Sequence, residues 1–414
     1  MDFALSPRAR DLQLRLDAFM LRYLLPHNAA WHRAVQDGVF PPPFLDDLKV
    51  LAREEGLWNL FLPGLRPDEP GTCLSNLDYA PLAQSMGRLP WASEVFNCSA
   101  PDTGNMELLH RFANDAQRAQ WLHPLLHGEI RSAFAMSEPD VASSDPTNLQ
   151  TTVRREGDAL VVSGRKWFIT GAAHPHCRLL IVMCRNAVAE DGSADDAHRR
   201  HSMVLVPLDT PGVQVLRNIP VLHHHAPEGH CEILLQNVRV PQTSLLGAWG
   251  AGFAMAQARL GPGRVHHCMR TIGQCELALQ LAAERTLERQ MFGRYESEFS
   301  NVQDWLAESR IEIDQARLLV LHTAWLLDQG EAVDIATTRA QVAAIKVVAA
   351  RLQSRVVDRA MQVFGAMGLS PDTPLAQFWS WGRALHLMDG PDEVHLRSVA
   401  RHEIAQARGR MGTS

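Results

Sequence analysis

The sequence predicts a mainly helical protein with a β domain in the middle of the chain. Both ends of the chain carry apolar residues at three- and four-residue steps, the period of amphipathic helices. The middle carries short runs rich in Val, Ile and Thr, bounded by Gly, Pro and Asp, at the spacing of a β-barrel or sandwich. The predicted order is an N-terminal helical domain over 1–130, a central β domain over 131–245 and a C-terminal helical bundle over 246–414.

Bulk composition limits the class of protein. A chain of 414 residues is too long for one ordinary core, and 46% apolar with 21% charged residues is the profile of a soluble globular protein. The net charge of −6 argues against nucleic-acid binding, and no apolar run approaches the roughly 18 residues of a membrane span. The seven cysteines form no Cys-x-x-Cys pair, which predicts free thiols and a cytoplasmic location.

Individual elements follow from the same patterns. Helices are predicted over 11–25, 44–57, 77–86 and 107–112 in the N-terminal part, and strands over 149–155, 159–170, 177–185, 201–209 and 231–240. The polar stretch over 190–200 is predicted to be a loop. Long amphipathic helices are predicted over 270–289, 302–328 and 337–364, and antiparallel packing into a bundle would bury their apolar stripes.

Two segments suggest a site for a flat, phosphorylated cofactor. Residues 132–148, SAFAMSEPDVASSDPTN, form a polar, turn-rich segment whose backbone N–H groups and serines could hold a ring edge and a phosphate. Residues 164–172, GRKWFITGA, place Trp167 and Phe168 beside the hydroxyl of Thr170 at a strand end. Ordinary turns and core packing of the aromatic pair remain the alternatives.

A third segment, residues 384–401, contains a candidate general base. An apolar stretch ends at Met388 and is followed by Asp389, Gly390 and Pro391. A carboxylate at the end of an apolar segment is where burial can raise a pKa toward neutrality. The alternative is an ordinary helix cap. Asp392 and Glu393 are rival bases if the register of the loop differs.

Together, in this order and spacing, these segments resemble the acyl-CoA dehydrogenase family. VRVP at 238–241, ERQMFGR at 288–294 and QVFGAMG at 362–368 extend the resemblance over nearly the whole chain. SEPDVASSD, APEGH at 226–230, GRVHHCMR at 263–270 and DGPDEVH at 389–395 are most similar to the subfamily that higher eukaryotes fuse to a kinase-like domain.

The resemblance implies a C-terminal four-helix bundle, FAD as the cofactor and α,β-dehydrogenation of an acyl-CoA in β-oxidation. Asp389 would be the base that takes the α-proton, and the flavin would accept the β-hydride. Residues implied to contact FAD within one subunit are Phe134, Met136, Ser137, Ser143, Phe168 and Thr170. Residues implied to hold the adenine half of a neighbouring subunit's FAD are Arg289, Phe292, Gln362 and Gly365. Substrate contacts are implied for Arg264, His267 and Gly390.

The sequence departs from the family pattern at three places. The usual base is Glu, so Asp389 is one methylene shorter, and a misplacement of about 1 Å can cost on the order of 100-fold in rate. Asp140, Val141 and Ala142 replace a Gly-rich turn, which puts its geometry in doubt. Pro391 replaces a Thr and lacks both an N–H and a hydroxyl, so one adenine-side contact is lost or replaced.

The resemblance also implies an electron-transfer flavoprotein as the acceptor and a homodimer or homotetramer. Two alternatives remain open. The same fold and FAD could catalyse elimination or isomerisation of a 4-oxygenated, for example 4-phosphorylated, acyl-CoA without net electron transfer, which the cationic surroundings of Arg264 would suit. The chain could also be a non-catalytic relative. The run His223–His225 does not predict a metal site, because consecutive residues of an extended segment face opposite sides.

Overall fold

The computed structural model describes residues 4–187 and 199–412. Residues 190–198 of the loop predicted over 190–200 therefore lie outside the described residues. Helices predominate in the described ranges and one large sheet occupies the middle of the chain, so the predicted fold class is confirmed. None of the described helices is long and apolar enough to cross a membrane.

The N-terminal segment is helical, as predicted, but its first helix is longer than the sequence pattern indicates. The described helices are α1 (Pro7–Phe19), α2 (Leu25–Gln36), α3 (Phe44–Glu54), α4 (Asn76–Gly87), α5 (Ala92–Val95), α6 (Asp102–Phe112), α7 (Asp115–Gln117) and α8 (His123–Leu126). A π-helical turn over Met20–Leu24 joins α1 to α2, so the helix continues through Pro26. The wider turn accommodates a residue that has no N–H to donate.

The central β segment forms one eight-stranded sheet. Its strands are β1 (Arg131–Ala135), β2 (Thr152–Glu156), β3 (Ala159–Thr170), β4 (Cys177–Asn186), β5 (His201–Pro207), β6 (Val213–Asn218), β7 (His230–Pro241) and β8 (Leu245–Leu246). The main order is β6-β7-β3-β2-β4-β5-β8, and β1 also pairs with β4. β4 pairs with β5 along one of its edges. Along its other edge, β4 pairs with β1 at one end and with β2 at the opposite end. The buried side chains of these strands form a continuous apolar core.

The C-terminal segment contains long helices. They are α9 (Gly252–Glu288), α10 (Ser300–Asp328), α11 (Ile335–Phe364), α12 (Leu375–Leu385) and α13 (Asp392–Met411), with a short hairpin of β9 (Gln290–Met291) and β10 (Arg294–Tyr295) after α9. α11 packs against α10, α12 and α13, which places it at the centre of this group. The three long helices predicted from apolar stripes are present, and each begins before its predicted start.

By its internal contacts the chain divides into two compact units. The first consists of Met1–Pro26, Leu74–Ser93 and Arg264–Ser414, and the second consists of His27–Cys73 and Glu94–Gly263. In the first unit, α4 crosses α9 at two glycines. A Cβ at Gly87 would lie 2.1 Å from the Arg270 carbonyl oxygen, and a Cβ at Gly273 would lie 1.9 Å from that of Gln84. The two helix backbones therefore approach more closely than any side chain would allow.

Candidate active site

The candidate base lies in the loop between α12 and α13. Asp389 has φ +54° and Gly390 has φ +103°, so two consecutive residues adopt a left-handed backbone. A non-glycine residue held there costs on the order of 1–3 kcal/mol and persists only when its surroundings fix it. A Cβ at Gly390 would lie 3.0 Å from His395 Nε2, so the loop needs glycine at this position for space as well as for φ.

The main-chain carbonyl of Asp389 is held by two side chains. The Arg264 guanidinium donates to this oxygen through Nε at 3.2 Å and Nη2 at 2.9 Å. His395 Nε2 lies 3.2 Å from the same oxygen, and because a carbonyl only accepts, this nitrogen carries the proton. Burial, and then the positive charge of Arg264, lower the pKa of His395 to about 4. His395 is therefore a neutral donor at physiological pH.

His267 faces the carboxylate of Asp389 itself. His267 Nε2 lies 3.6 Å from Asp389 Oδ2, and the Asp389 side chain is 27% exposed. Arg270 Nη2 lies 3.2 Å from His267 Nδ1, and arginine only donates, so Nδ1 accepts and Nε2 carries the proton. A polar N–H is thus directed toward the carboxylate. Of the three residues for which substrate contacts were predicted, Arg264 and Gly390 lie beside Asp389 and His267 faces its carboxylate.

The buried Lys346 is a further cation near this loop that the sequence analysis did not single out. Its ammonium donates to the Leu385 carbonyl oxygen at the end of α12, and its side chain is fully buried. Burial lowers the pKa of Lys346, while Cys268 and Asp389 oppose that shift. Lys346 lies within an apolar stripe of α11. The sequence pattern of such a stripe does not distinguish one buried polar residue from its apolar neighbours. Of the two rival bases, Asp392 is bonded to His386 and Glu393 is exposed.

In the second unit, the SEPD segment is tied to β3 by hydrogen bonds. Lys166 Nζ donates to Met136 O at 2.9 Å and to Glu138 Oε1 at 2.8 Å, and the Trp167 N–H donates to Ser137 O at 3.0 Å. These bonds bring Met136 and Ser137 next to the aromatic pair of the second motif. The structure therefore joins two segments that the sequence separates by about 30 residues.

A β-bulge exposes Phe168. The register between β3 and β7 shifts between Lys166 and Ile169, and Phe168 has φ +51° with 44% of its surface exposed. Bulges re-aim side chains in this way. Two residues further on, Thr170 Oγ1 lies 3.0 Å from His230 Nδ1. An exposed aromatic ring next to a hydroxyl offers a platform for a flat cofactor.

The other residues predicted to contact FAD in this unit are less closely grouped. Phe134 lies on β1, and the guanidinium carbon of Arg259 is 4.1 Å from the centre of its ring. Arg259 Nε also donates to Asn105 Oδ1 at 2.9 Å. Ser143 is exposed in the turn-rich segment after the SEPD residues.

The four residues predicted to hold a neighbouring subunit's FAD lie in the first unit, near the ends of α9 and α11. Phe292 forms the tip of the β9–β10 hairpin, where it has φ +52° and is 93% exposed. Arg289 directly follows α9, Gln362 is exposed in the last turn of α11, and Gly365 ends that helix with φ +60°. The Arg285 guanidinium lies 5.6 Å from the Phe364 ring centre, so the two helix ends are neighbours.

These residues fit FAD on two observations. Exposed aromatic rings at Phe168 and Phe292 are costly to leave in water, and both occur at backbone irregularities that turn them outward. Arg289 and the hydroxyls of Ser137 and Ser143 are donors of the kind that phosphate oxygens accept.

Comparison with known proteins identifies the family. Models of the N-terminal, middle and C-terminal domains of acyl-CoA dehydrogenase match residues 6–129, 133–238 and 250–404. The chain therefore belongs to the acyl-CoA dehydrogenase family. Enzymes of this family depend on FAD, so the predicted cofactor is confirmed at this level.

Among its relatives is the Probable acyl-CoA dehydrogenase FadE2 of Mycobacterium tuberculosis, which is 51% identical over 99% of this chain and 98% of the relative. Acyl-CoA dehydrogenase family member 10 of Mus musculus is 46% identical over 97% of this chain, which spans 37% of that longer protein. A solved structure of a candidate acyl-CoA dehydrogenase from Mycobacterium abscessus superposes with a TM-score of 0.92 at 46% identity, covering 98% of this chain and 100% of that one.

Proposed function

We propose that the protein is an FAD-dependent acyl-CoA dehydrogenase that converts an acyl-CoA thioester to a trans-2-enoyl-CoA, with Asp389 as the α-proton base. The observation that carries the proposal is the loop in which two consecutive left-handed residues present a carboxylate while Arg264 and His395 hold its backbone. Strain of this kind, fixed by surrounding side chains, is characteristic of functional sites.

The residues of this chain act by positioning and by moving one proton. Asp389 accepts the α-proton on its carboxylate, so a carbon–hydrogen bond breaks and an oxygen–hydrogen bond forms. The donors on its carbonyl fix the loop, which limits how far the shorter Asp side chain can move from the α-carbon. By the family resemblance, the Asp389 N–H would bind the thioester oxygen as negative charge develops there. FAD, when bound, supplies the acceptor for the β-hydrogen as hydride.

Replacing Asp389 with Asn tests the base. General bases contribute about 10²–10⁴ in rate, so Asp389→Asn should lower kcat by that factor while the protein keeps its FAD. The measurement is flavin bleaching by a panel of acyl-CoAs without oxygen, followed by steady-state turnover with an artificial acceptor. Glu393→Gln, an exposed carboxylate four residues away, is the matched control and should behave as the parent. Undiminished turnover of Asp389→Asn contradicts the assignment.

The biological setting belongs to the same proposal. We assign the electrons to an electron-transfer flavoprotein, the reaction to fatty-acid β-oxidation, and the assembly to a homodimer or homotetramer. The seven cysteines form no disulfide and six of them are buried, which supports a cytoplasmic location. The resemblance of DGPDEVH and GRVHHCMR supports a place near the kinase-fused subfamily.

A second candidate reaction begins with the same α-deprotonation and ends in loss of an anionic group from C4 of a 4-oxygenated acyl-CoA. The β-hydrogen would pass to FAD as hydride and return to the substrate as that group leaves, so the net change is loss of a proton and the anion, without net electron transfer. The observation that favours it is the presence of two basic side chains at this loop, with Arg264 bonded to the Asp389 carbonyl and Lys346 to the Leu385 carbonyl. The two candidates differ in electron flow. Dehydrogenation bleaches the flavin and requires an acceptor, whereas elimination turns over without one.

A further inference from the structure

Three side chains form a continuous hydrogen-bonded chain at the base of the loop that carries Asp389. His386 Nδ1 lies 2.7 Å from Asp392 Oδ2, and His386 Nε2 lies 2.9 Å from Ser354 Oγ. A carboxylate only accepts, so Nδ1 carries a proton, and in the neutral imidazole Nε2 accepts from the serine hydroxyl. Both nitrogens of the imidazole are therefore used.

The three residues come from three different elements. His386 directly follows α12, Asp392 is the first residue of α13, and Ser354 lies in the middle of α11. The Asp392 N–H also donates to the His386 carbonyl oxygen at 3.2 Å. Main chain and side chain therefore both join residue 386 to residue 392 and close the intervening five residues into a loop.

We propose that Ser354, His386 and Asp392 act as a buckle that holds the two ends of this loop, which makes His386 a positioning residue for Asp389. The inference rests on the proposed role of Asp389 as the base. Arg264 and His395 hold the tip of the loop, and the buckle holds its ends against α11. The His386–Asp392 bond joins the two ends of the loop, whereas the bond between His386 and Ser354 attaches the loop to α11. We therefore expect the His386–Asp392 bond to contribute more to the position of Asp389.

A pair of substitutions at one position separates the two bonds. In His386→Asn the amide nitrogen takes the place of Nδ1, so the bond to Asp392 survives and the bond to Ser354 is lost. In His386→Gln the amide reaches the place of Nε2, so the bond to Ser354 survives and the bond across the loop is lost. If the buckle positions Asp389, His386→Asn should retain turnover and His386→Gln should lose it.

The expected result is a loss in kcat without a matching change in binding. In the FAD-loaded, full-length protein, His386→Gln should lower kcat by about 10- to 100-fold, because displacement of the base by up to about 1 Å is enough. KM, FAD content and melting temperature should stay close to those of the parent. His386→Asn should remain within about threefold of the parent. His402→Gln, at a half-buried histidine on α13, is the control and should change nothing.

A second measurement does not depend on turnover. Hydrogen exchange of peptides covering residues 386–392 should be faster in His386→Gln and in Asp392→Ala, and their double variant should be no faster than either one, because both remove the same bond. If the parent reacts with no acyl-CoA, the proposed reaction fails while this exchange still tests the buckle. Exchange equal to that of the parent in both variants, or equal kcat in His386→Gln and His386→Asn, overturns the inference.

A Ser–His–Asp chain can also serve a nucleophilic serine, and the experiment distinguishes the two roles. A nucleophile would release free CoA from acyl-CoA in water, and Ser354→Ala would abolish that release. The buckle instead predicts no release of CoA by the parent and a loss of kcat in Ser354→Ala smaller than that in His386→Gln. Release of CoA that depends on Ser354 overturns the positioning role.

Discussion

At the scale of single residues, Gly390 is the position where backbone geometry and packing coincide. It has φ +103°, and an added Cβ would meet His395 Nε2 at 3.0 Å. Gly390→Ala should therefore displace His395 from the Asp389 carbonyl, lower kcat by tenfold or more and cost about 1–3 kcal/mol in unfolding free energy. Gly330 is the matched control because it has φ +54° with open space around it.

Gly330→Ala separates the effect of the steric contact with His395 from the energetic cost of a positive φ in a residue other than glycine. Gly330→Ala should cost only the φ penalty, about 1 kcal/mol, and leave kcat unchanged. The two variants are compared by urea unfolding at fixed FAD and by steady-state turnover. Equal kcat values in the parent and Gly390→Ala would show that the contact with His395 does not position the base.

Glu107 on α6 is a buried carboxyl that should contribute to the pH dependence of stability. Neither of its oxygens has a hydrogen-bond partner within the described residues, and burial raises its pKa from 4.5 to about 8. Between these two pH values the unfolded chain loses this proton while the folded chain keeps it. The free energy of unfolding therefore falls as pH rises, by up to about 1.4 kcal/mol per pH unit from this group.

Glu107→Gln removes the titrating group and keeps its shape, so its stability should depend less on pH between about 5 and 8. Its advantage over the parent should be largest at pH 8. Urea unfolding at four pH values and constant FAD measures the slope. Glu54→Gln on α3, where the glutamate is exposed, should retain the parent's slope. A Glu107→Gln slope identical to the parent's would contradict the raised pKa.

The sequence pointed to Asp389, the proposed base, more readily than to the side chains that hold its loop. Asp389 follows an apolar stretch, which is a local signal, and Arg264 matches a family motif. His395, Lys346, His386 and Ser354 act through contacts across the bundle. Ser354 and His386 are 32 residues apart, and no short-range pattern distinguishes their pairing from two ordinary polar residues on separate helices.

At the scale of elements, a buried ion pair fixes the SEPD segment to the sheet. Lys166 is fully buried on β3 and Glu138 is almost so, and Glu138 also accepts from the backbone N–H groups of Gln150 and Thr151. Lys166→Met should cost about 3–5 kcal/mol because it leaves a buried carboxylate without its cation. Adding Glu138→Gln should recover part of that loss.

An exposed pair elsewhere in the sheet provides the control for this ion pair. Arg239 on β7 and Glu156 on β2 are each about half exposed, so Arg239→Met should cost less than about 1 kcal/mol. Urea unfolding of all variants at fixed FAD gives the comparison. If Lys166→Met and Arg239→Met lower the free energy of unfolding by the same amount, the buried Lys166–Glu138 pair does not stabilise the SEPD segment.

Strongly periodic elements were predictable and edge elements were not. The five predicted strands and the three long helices follow from runs of apolar residues that nothing else in the fold overrides. β6 was missed because an edge strand with exposed side chains lacks the apolar alternation of a buried one. The continuation of α1 into α2 was missed because Pro26 normally ends a helix, and the π-helical turn that accommodates it has no sequence signature.

At the scale of the whole molecule, each compact unit is built from separated stretches of chain. The first unit takes α1 and α4 from the N-terminal part and joins them to the C-terminal helices. Contacts between residues more than 250 positions apart hold them there, for example the Asp328 carboxylate accepting from the N–H of Asn76 at 2.8 Å. Local sequence patterns predict each helix, but they do not predict which helices pack together. That packing depends on contacts between residues far apart in the sequence.

The β9–β10 hairpin is where the assembly proposed above would contact a neighbouring subunit. Phe292 and Gly293 both have positive φ at its tip, the geometry of a tight hairpin turn, and Phe292 is 93% exposed. Such a ring contributes little to the stability of its own chain, whereas the family resemblance gives it a neighbouring subunit's FAD to contact. FAD retention should therefore depend on assembly and should fall on dilution together with the oligomer.

Phe292→Asn removes the ring and keeps a residue that suits the turn. The variant should lose FAD at least tenfold faster than the parent on gel filtration and dissociate at a higher protein concentration, because each contact across subunits is lost in every copy. The unfolding free energy of the FAD-free chain should change by less than about 0.5 kcal/mol, as is usual for exposed positions. Leu287→Asn, at a residue that is 67% exposed near the end of α9, is the control and should keep FAD. Stoichiometric FAD and an unchanged oligomer in Phe292→Asn would show that the hairpin tip serves neither the cofactor nor the assembly.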